Sequence, residues 1–391
     1  MTTLFTARRL FTPIEEIPEA LIVVEDGRIV EITSRAARQS PAHAAAVDFG
    51  DNVISPGFLD IHIHGGAGVD VMRTSGNDLA RFGAFLARHG VIGYFATTVA
   101  APLPYTYQAL DRLADAIDAA QKSIHSNGDS VEARPLAIHL EGPFLSHKRR
   151  GVHPPENLVE PTLKVFEELW QAARGHVRML TIAPELPGAI EVISEAARRG
   201  VCVSIGHSDA DMPTARSGIA AGARHATHTF NAMRPLDHRA PGIIGEVLSD
   251  DRITADLIAD GVHVSPEVVK LFLRAKGTER AVLITDAISA TGMADGSYQL
   301  GPIEVDVRDG KCTANGSLAG SVLTMDRAVR NVTQFSNWTL RDAVRAASLN
   351  PATAVGMTGT CGALKAGAPA DFVVLNQKGE VLKTIVGGRG Y

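Results

Sequence analysis

The chain has 391 residues, 45% of them hydrophobic and 21% charged, with a formal net charge of −5. Such a length exceeds one small core and suits a large domain with a smaller companion. The composition is that of an ordinary globular protein, with no basic stripe for nucleic acid and no apolar run long enough for a membrane helix. The opening MTTLFTARRLFTPIEE has no apolar stretch of signal-peptide length. Cys202, Cys312 and Cys361 are odd in number and far apart, without zinc-motif spacing or a disulfide framework. A reducing cytoplasm is the simplest setting.

Residues 1 to about 52 read as short strands and turns. Leu21-Ile-Val-Val24, the turn Glu25-Asp-Gly27 and Arg28-Ile-Val-Glu-Ile32 signal a hairpin. A helical period is expected only around 35–46. From Ile54 apolar strands alternate with amphipathic helices. The spacing predicts strands at 54–62, 91–99, 135–141, 177–183, 201–207, 224–229, 253–259 and 281–286. Helices are expected between most of them, for example at 78–89, 156–174, 189–199, 212–221 and 266–276. Eight βα units over about 230 residues match a (β/α)8 TIM-type barrel, with an open doubly wound sheet as the alternative. Residues 291–325 break the pattern with strand-like pieces and Asp-Gly or Asn-Gly turns, an insertion after strand eight. Helices at 325–335 and 340–348 follow, and strand texture returns at 371–375 and 381–386. The expected organisation is therefore a small β-sandwich from 1–53 and 350–391, flanking a catalytic barrel at 54–349.

In such a barrel the reactive groups come from the C-terminal strand ends. Strand one ends in His62-Ile-His64. Alternation puts both rings on one face about 7 Å apart, within reach of one metal or two adjacent ones. Gly65-Gly66 then lets the backbone turn away without crowding. Strand three ends in Glu141, strand five in His207, strand six in His228 and strand eight in Asp286. Each alone is weak evidence, but six metal-competent side chains on one rim point to a divalent metal centre. Zinc is the leading candidate, with iron or manganese as alternatives. A metal-held water, with its pKa lowered toward about 7, would attack a carbonyl. A neighbouring carboxylate would take its proton and pass it to the leaving nitrogen. Asp286 is the candidate for that role; a turn or N-cap aspartate is its plain alternative.

Polar clusters after strands six and seven offer Arg234, His238, Arg239 and His263, where an Arg and a His could bind a phosphate or carboxylate. After strand three, the basic loop Lys148-Arg-Arg-Gly-Val-His153 offers His153 as a donor to a substrate carbonyl. His139, two residues before Glu141, reads as a buried supporting histidine rather than a ligand. His43, His89, His125 and His176 lie away from strand ends.

His62-x-His64, His139-Leu-Glu-Gly-Pro-Phe144, Gly206-His-Ser208, His228-Thr-Phe-Asn-Ala-Met233 and Thr285-Asp-Ala287 together resemble the amidohydrolase superfamily. Within it they look like the N-acetylglucosamine-6-phosphate deacetylase branch, and the resemblance runs from the N-terminal hairpin to Gly367-Ala-Pro-Ala-Asp371. It implies a homodimer that hydrolyses the acetamide of a phosphorylated amino sugar, in amino-sugar catabolism or recycling. It implies Glu141, His207 and His228 as metal ligands, Asp286 as general base and then acid, and His153 with Val152 near the acetamide. Asn231, Ala232, Arg239 and His263 would line the sugar-phosphate site, with Arg239 the main phosphate partner. Leu318, Ala319 and Gly320, inside the insertion, match substrate-contacting positions. Some members lack the His-x-His ligands and hold one metal; both histidines here leave room for a second, bridged by Glu141.

Three other readings compete. Cyclic-amidase and dihydroorotase types bridge metals with a strand-four lysine, and Arg178-Met-Leu-Thr-Ile-Ala-Pro184 contains none. A deacetylase for the galactosamine 6-phosphate epimer is not excluded by any residue. A non-catalytic scaffold should have lost ligands, and none is missing here.

Overall fold

The computed structural model describes residues 2–12, 15–37, 45–74, 76–123 and 131–390. Strands Phe58–Ile63, Val91–Thr98, Arg134–Glu141, Val177–Ile182, Cys202–Ile205, His225–Ala226, Thr254–Ile258 and Ala281–Ile284 lie side by side in chain order. Every pairing between them is parallel. The seam between last and first strands is closed at their C-terminal ends. Asp286 N donates to the His62 carbonyl at 2.9 Å and His64 N to that of Ala287 at 2.8 Å. Deeper in the seam, Thr285 Oγ1 donates to the Asp60 carboxylate at 2.6 Å. This is a (β/α)8 barrel.

Helices on the outside cover the strands, so both faces are buried and the strands read as near-continuous apolar runs. Val91–Thr98 and Phe58–Ile63 are buried at every position. The helices Ala189–Arg198 and Met212–Ala221 stand within a residue of expectation. That expected at 156–174 begins only at Leu163, capped by Thr162, because Pro154, Pro155 and Pro161 break its front into a short 3₁₀ turn, Pro155–Asn157. That expected at 266–276 continues to Arg280 across a break at Gly277. Two further helices, Leu103–Ser123 and Gly242–Ser249, complete the ring.

The strand expected at 54–62 is two strands. Val53–Pro56 pairs with Thr2–Phe11 and Phe372–Leu375, and only after Gly57 does Phe58–Ile63 join the barrel. Both ends of the chain thus meet in one seven-stranded sheet with its own apolar core, in which Phe5 and Phe372 pack edge to face at 5.1 Å. Of the helical stretch expected at 35–46, Arg35–Ala37 is a 3₁₀ turn and Ala45–Asp48 a strand; 38–44, His43 and His125 lie outside the described residues. The insertion forms a four-stranded sheet from Gly296–Leu300, Ile303–Arg308, Lys311–Ala314 and Ser317–Leu318. Among the described residues, no helix is long and apolar enough to cross a membrane.

Candidate active site

The six side chains expected at the strand ends converge. Glu141 lies at their centre and belongs to two buried groups that could each hold a metal ion, one with His62 and His64, the other with His207 and His228. Glu141 Oε1 stands 3.1 Å from His207 Nε2 and 3.0 Å from His228 Nε2, and those two nitrogens are 3.0 Å apart. On the other side, His62 Nε2 is 3.5 Å from Glu141 Oε1, and His64 Nε2 is 3.4 Å from Oε2. Asp286 Oδ1 approaches the same pair, 3.0 Å from His64 Nε2 and 3.6 Å from His62 Nε2.

The backbone is bent to deliver these groups. His207, His228 and Asp286 have φ of 46°, 29° and 50°, the left-handed region that side chains avoid. Each such turn costs on the order of 1–3 kcal/mol and is held by its surroundings. Asp286 is pinned from both sides, its N–H on His62 and its carbonyl accepting from Ser321 N at 2.8 Å. The insertion returns to the barrel here. Gly320, φ 60°, passes so close that a Cβ would lie 3.0 Å from the Asp286 carbonyl oxygen and 2.3 Å from Ile288.

Hydrogen bonds set which ring nitrogens face the centre. His64 Nδ1 lies 3.1 Å from the Thr97 carbonyl, and His207 Nδ1 lies 2.9 Å from that of Arg149. A carbonyl only accepts, so both Nδ1 atoms carry hydrogen and both Nε2 atoms face Glu141. That is the tautomer a metal-binding imidazole needs. His153 is arranged the other way: its Nδ1 accepts from Ala100 N at 3.1 Å. A neutral His153 therefore presents Nε2–H, 3.6 Å from Glu141 Oε2, as a donor toward the same centre.

Electrostatics demand positive charge here. Burial alone would depress the His64 and His228 pKa values, yet hydrogen bonds and charge from Glu141, with Asp286 beside His64, push them up to about 10 and about 9. Burial raises the Glu141 carboxyl, but the surrounding imidazoles outweigh it and hold it well below the usual carboxylate range. Two buried carboxylates among convergent nitrogens fit a divalent cation, which replaces those protons.

Several supporting groups escaped the sequence reading. Asp60 is fully buried beneath His62, holds Thr285 across the seam, and is pushed up to about 7 by burial. Its signal was in the alternation, since Asp60, His62 and His64 share a strand face. Asp256 accepts from the His228 backbone N–H and, at 2.9 Å, bonds His225 Nε2. A carboxylate inside the apolar Thr254–Ile258 was the available sign. Thr181 joins His139 Nε2 and Thr227 Oγ1, each at 2.8 Å, so the barrel interior below the centre is polar. His139 packs edge-on to His62 with centroids 4.6 Å apart, and burial keeps it neutral.

The expected substrate residues are less tightly gathered. Asn231 Nδ2 donates to the His228 carbonyl at 3.2 Å, and the Ala232 carbonyl accepts from Ser208 N at 3.1 Å, so this turn adjoins the centre. His263 Nδ1 is bound to Asp260 Oδ2 at 2.7 Å. Val152 is half-buried beside His153, Ala319 is buried, and Leu318 is exposed. Arg234 is half-buried, while His238 and Arg239 lie on an exposed stretch, 235–240, turned by Asp237, whose carboxylate accepts from Arg239 N at 2.8 Å.

A (β/α)8 barrel carrying two His-carboxylate groups about a shared glutamate is the architecture of a metal-dependent hydrolase. The amidohydrolase family model matches residues 53–390, and the chain belongs to that family. It is 38% identical over 373 residues to the N-acetylglucosamine-6-phosphate deacetylase of Lysinibacillus sphaericus, covering 94% of this chain and 92% of that protein. It is 36% identical to an N-acetylgalactosamine-6-phosphate deacetylase of Escherichia coli O157:H7, covering 96% of each. In three dimensions it matches a mutant N-acetyl-D-glucosamine-6-phosphate deacetylase from Mycobacterium smegmatis in complex with N-acetyl-D-glucosamine-6-phosphate. The TM-score is 0.91 at 35% identity, over 100% of this chain and 99% of that one.

Proposed function

We propose that this chain hydrolyses the acetamide of N-acetyl-D-glucosamine 6-phosphate to D-glucosamine 6-phosphate and acetate. The observation that carries the reading is Glu141 shared between two His pairs, with Asp286 alongside, in a chain that its deacetylase relatives match almost end to end.

His62, His64, Glu141, His207 and His228 would hold one or two metal ions, with Glu141 common to both groups. Zinc suits imidazole and carboxylate ligands, and iron is the alternative. When bound, the metal supplies a water acidic enough to lose its proton near neutral pH and a charge for the developing oxyanion. Asp286 takes that proton as oxygen bonds to the acetamide carbon. His153 Nε2–H donates to the carbonyl oxygen and polarises it. As the C–N bond breaks, Asp286 returns the proton to the amine, and acetate carries the oxygen from water. Val152 would border the acetyl group. Asn231, Ala232, His263, Leu318, Ala319 and Gly320 would line the sugar, and Arg239 would grip the phosphate as a charge-assisted pair. Arg239 is exposed, and in a homodimer it would serve its own or the neighbouring site. Three free buried cysteines accord with a cytoplasmic setting.

A second reading is deacetylation of the galactosamine 6-phosphate epimer, favoured by the E. coli relative. Acetate release by the metal-loaded enzyme from both epimers and from unphosphorylated N-acetylglucosamine decides between them. Fast turnover of the glucosamine 6-phosphate compound alone supports the proposal. Turnover of the galactosamine epimer alone moves the assignment, and equal rates with and without phosphate refute a phosphate requirement.

A further inference from the structure

Beside the 65–74 loop lies a furrow that the metal centre does not use. One part, about 350 Å³, is lined by Arg73, Thr74, Tyr105 and Arg112. A second, about 380 Å³, shares Arg73 and Thr74 and continues past Ser297 and Gln299. Arg73 Nη1 donates to Gln299 Oε1 at 2.8 Å, and Arg112 Nη2 donates to the Met72 carbonyl at 2.7 Å. Both acceptors are neutral. They fix the guanidiniums without cancelling their charge, and neither arginine is paired with a carboxylate among the described residues. Each retains N–H donors for a further acceptor. Burial pushes the Tyr105 hydroxyl up, and Asp70 and both arginines stand close enough for their charges to act on it.

The acids nearby are otherwise engaged. The Asp70 carboxylate accepts from Met72 N at 2.8 Å and Gly301 N at 2.5 Å, and Asp78 faces Arg81 at 3.5 Å in the second part. Two guanidiniums against the one Asp70 carboxylate leave the Arg73–Arg112 end net positive. Beyond Gln299, which Arg73 holds, lies Ser297, whose hydroxyl donates to Glu304 Oε1 at 2.6 Å and whose oxygen can still accept. Two preorganised guanidiniums beside a phenol suit a tetrahedral oxyanion, and the adjoining polar groups suit hydroxyls.

We propose that this furrow is a second small-molecule site, for a phosphate monoester of a hydroxylated compound, with the phosphate between Arg73, Arg112 and Tyr105 and the hydroxyls toward Ser297 and Gln299. It goes beyond the deacetylase reading and does not depend on it. An occupant would rest against the segment whose Val71 N–H holds the His64 carbonyl at 3.0 Å.

The test is calorimetric titration of the metal-loaded full chain with inorganic phosphate and, separately, glucose 6-phosphate. The wild type is compared with Arg73→Gln/Arg112→Gln, which removes both charges but keeps amide donors. The double variant should lose one class of glucose 6-phosphate site, or weaken it by about tenfold or more, while KM for the acetylated sugar phosphate stays within about twofold. In the wild type that site should bind glucose 6-phosphate more tightly than phosphate. Superimposable isotherms for wild type and variant overturn the proposal. Equal affinity for ion and ester overturns its monoester part. Should the double variant not fold, Arg112→Gln alone, which can still bond the Met72 carbonyl, gives the same comparison.

Discussion

The two sides of the candidate active site are built differently. Around Glu141, the groups that would do the chemistry are buried, and the surrounding backbone fixes the His64 and His207 rings. Across the site, the 235–240 stretch and Leu318, offered for sugar and phosphate, lie in solvent. The candidate metal centre is preformed within one chain, whereas the candidate phosphate-binding stretch at 235–240 and Leu318 are exposed, even though Asn231 and His263 are held by the His228 carbonyl and Asp260. Chemistry demands fixed geometry before substrate arrives, while specificity can be completed on binding.

That contrast predicts a graded series of losses. The largest belongs to Glu141→Gln, because both candidate metal groups lose their common carboxylate. Metal affinity should fall by more than the roughly 10–100-fold that loss of a mere supporting residue costs, and acetate release with it. Metal analysis after dialysis checks this, and normal metal content would show that Glu141 is no ligand. Asp286→Asn should retain metal and substrate binding yet lower kcat by about 10²–10⁴-fold. A near-normal kcat would remove Asp286 from proton transfer.

On the recognising side, Arg239→Ala should raise KM for the phosphorylated sugar by about 2 kcal/mol, or some thirtyfold, with little effect on the unphosphorylated one. Equal effects on both would mean that Arg239 does not read the phosphate. A smaller change is expected at Arg149, whose carbonyl orients His207 while its guanidinium binds Asp209 at 2.8 Å. Arg149→Ala should weaken metal binding by about tenfold, the low end for an orienting partner, and excess metal should restore the rate. An unchanged metal dissociation constant would show that the turn holds its shape without the ion pair.

The least effect concerns the helix Pro266–Arg280, which packs against Gly242–Ser249. Lys276 Nζ donates to the Val247 and Asp250 carbonyls at 2.8 and 3.0 Å, and burial pushes its pKa down to about 8. An unfolded lysine keeps its proton to about 10.4, so across that window the unfolded chain binds more protons and stability rises with pH. Chemical denaturation at a series of pH values should show that rise flattened in Lys276→Met. An identical slope in the variant would exclude Lys276 as its source.

How far these features could be read from sequence follows from what fixes them. The barrel was legible because parallel strands buried on both faces make unbroken apolar runs, and the candidate ligands because each lies at or just beyond the end of such a run. The supporting contacts were less so. Asp60, Thr97 and Asp256 act on strands that are neighbours in space but far apart in sequence, and no local spacing records that His64 leans on the Thr97 carbonyl. The split at Gly57 was hidden for a similar reason, since Val53–Pro56 and Phe58–Ile63 are equally apolar but belong to different sheets. The candidate role of the insertion in substrate contact needed the family resemblance, and the closeness of Gly320 to Asp286 needed coordinates.

The most direct measurement is acetate release from N-acetylglucosamine 6-phosphate by chelator-stripped protein as zinc is added back. Activity should be lost on stripping and return in step with metal bound, reaching its maximum at one or two ions per chain. Full activity in the stripped protein would contradict a metal-dependent hydrolysis centred on Glu141.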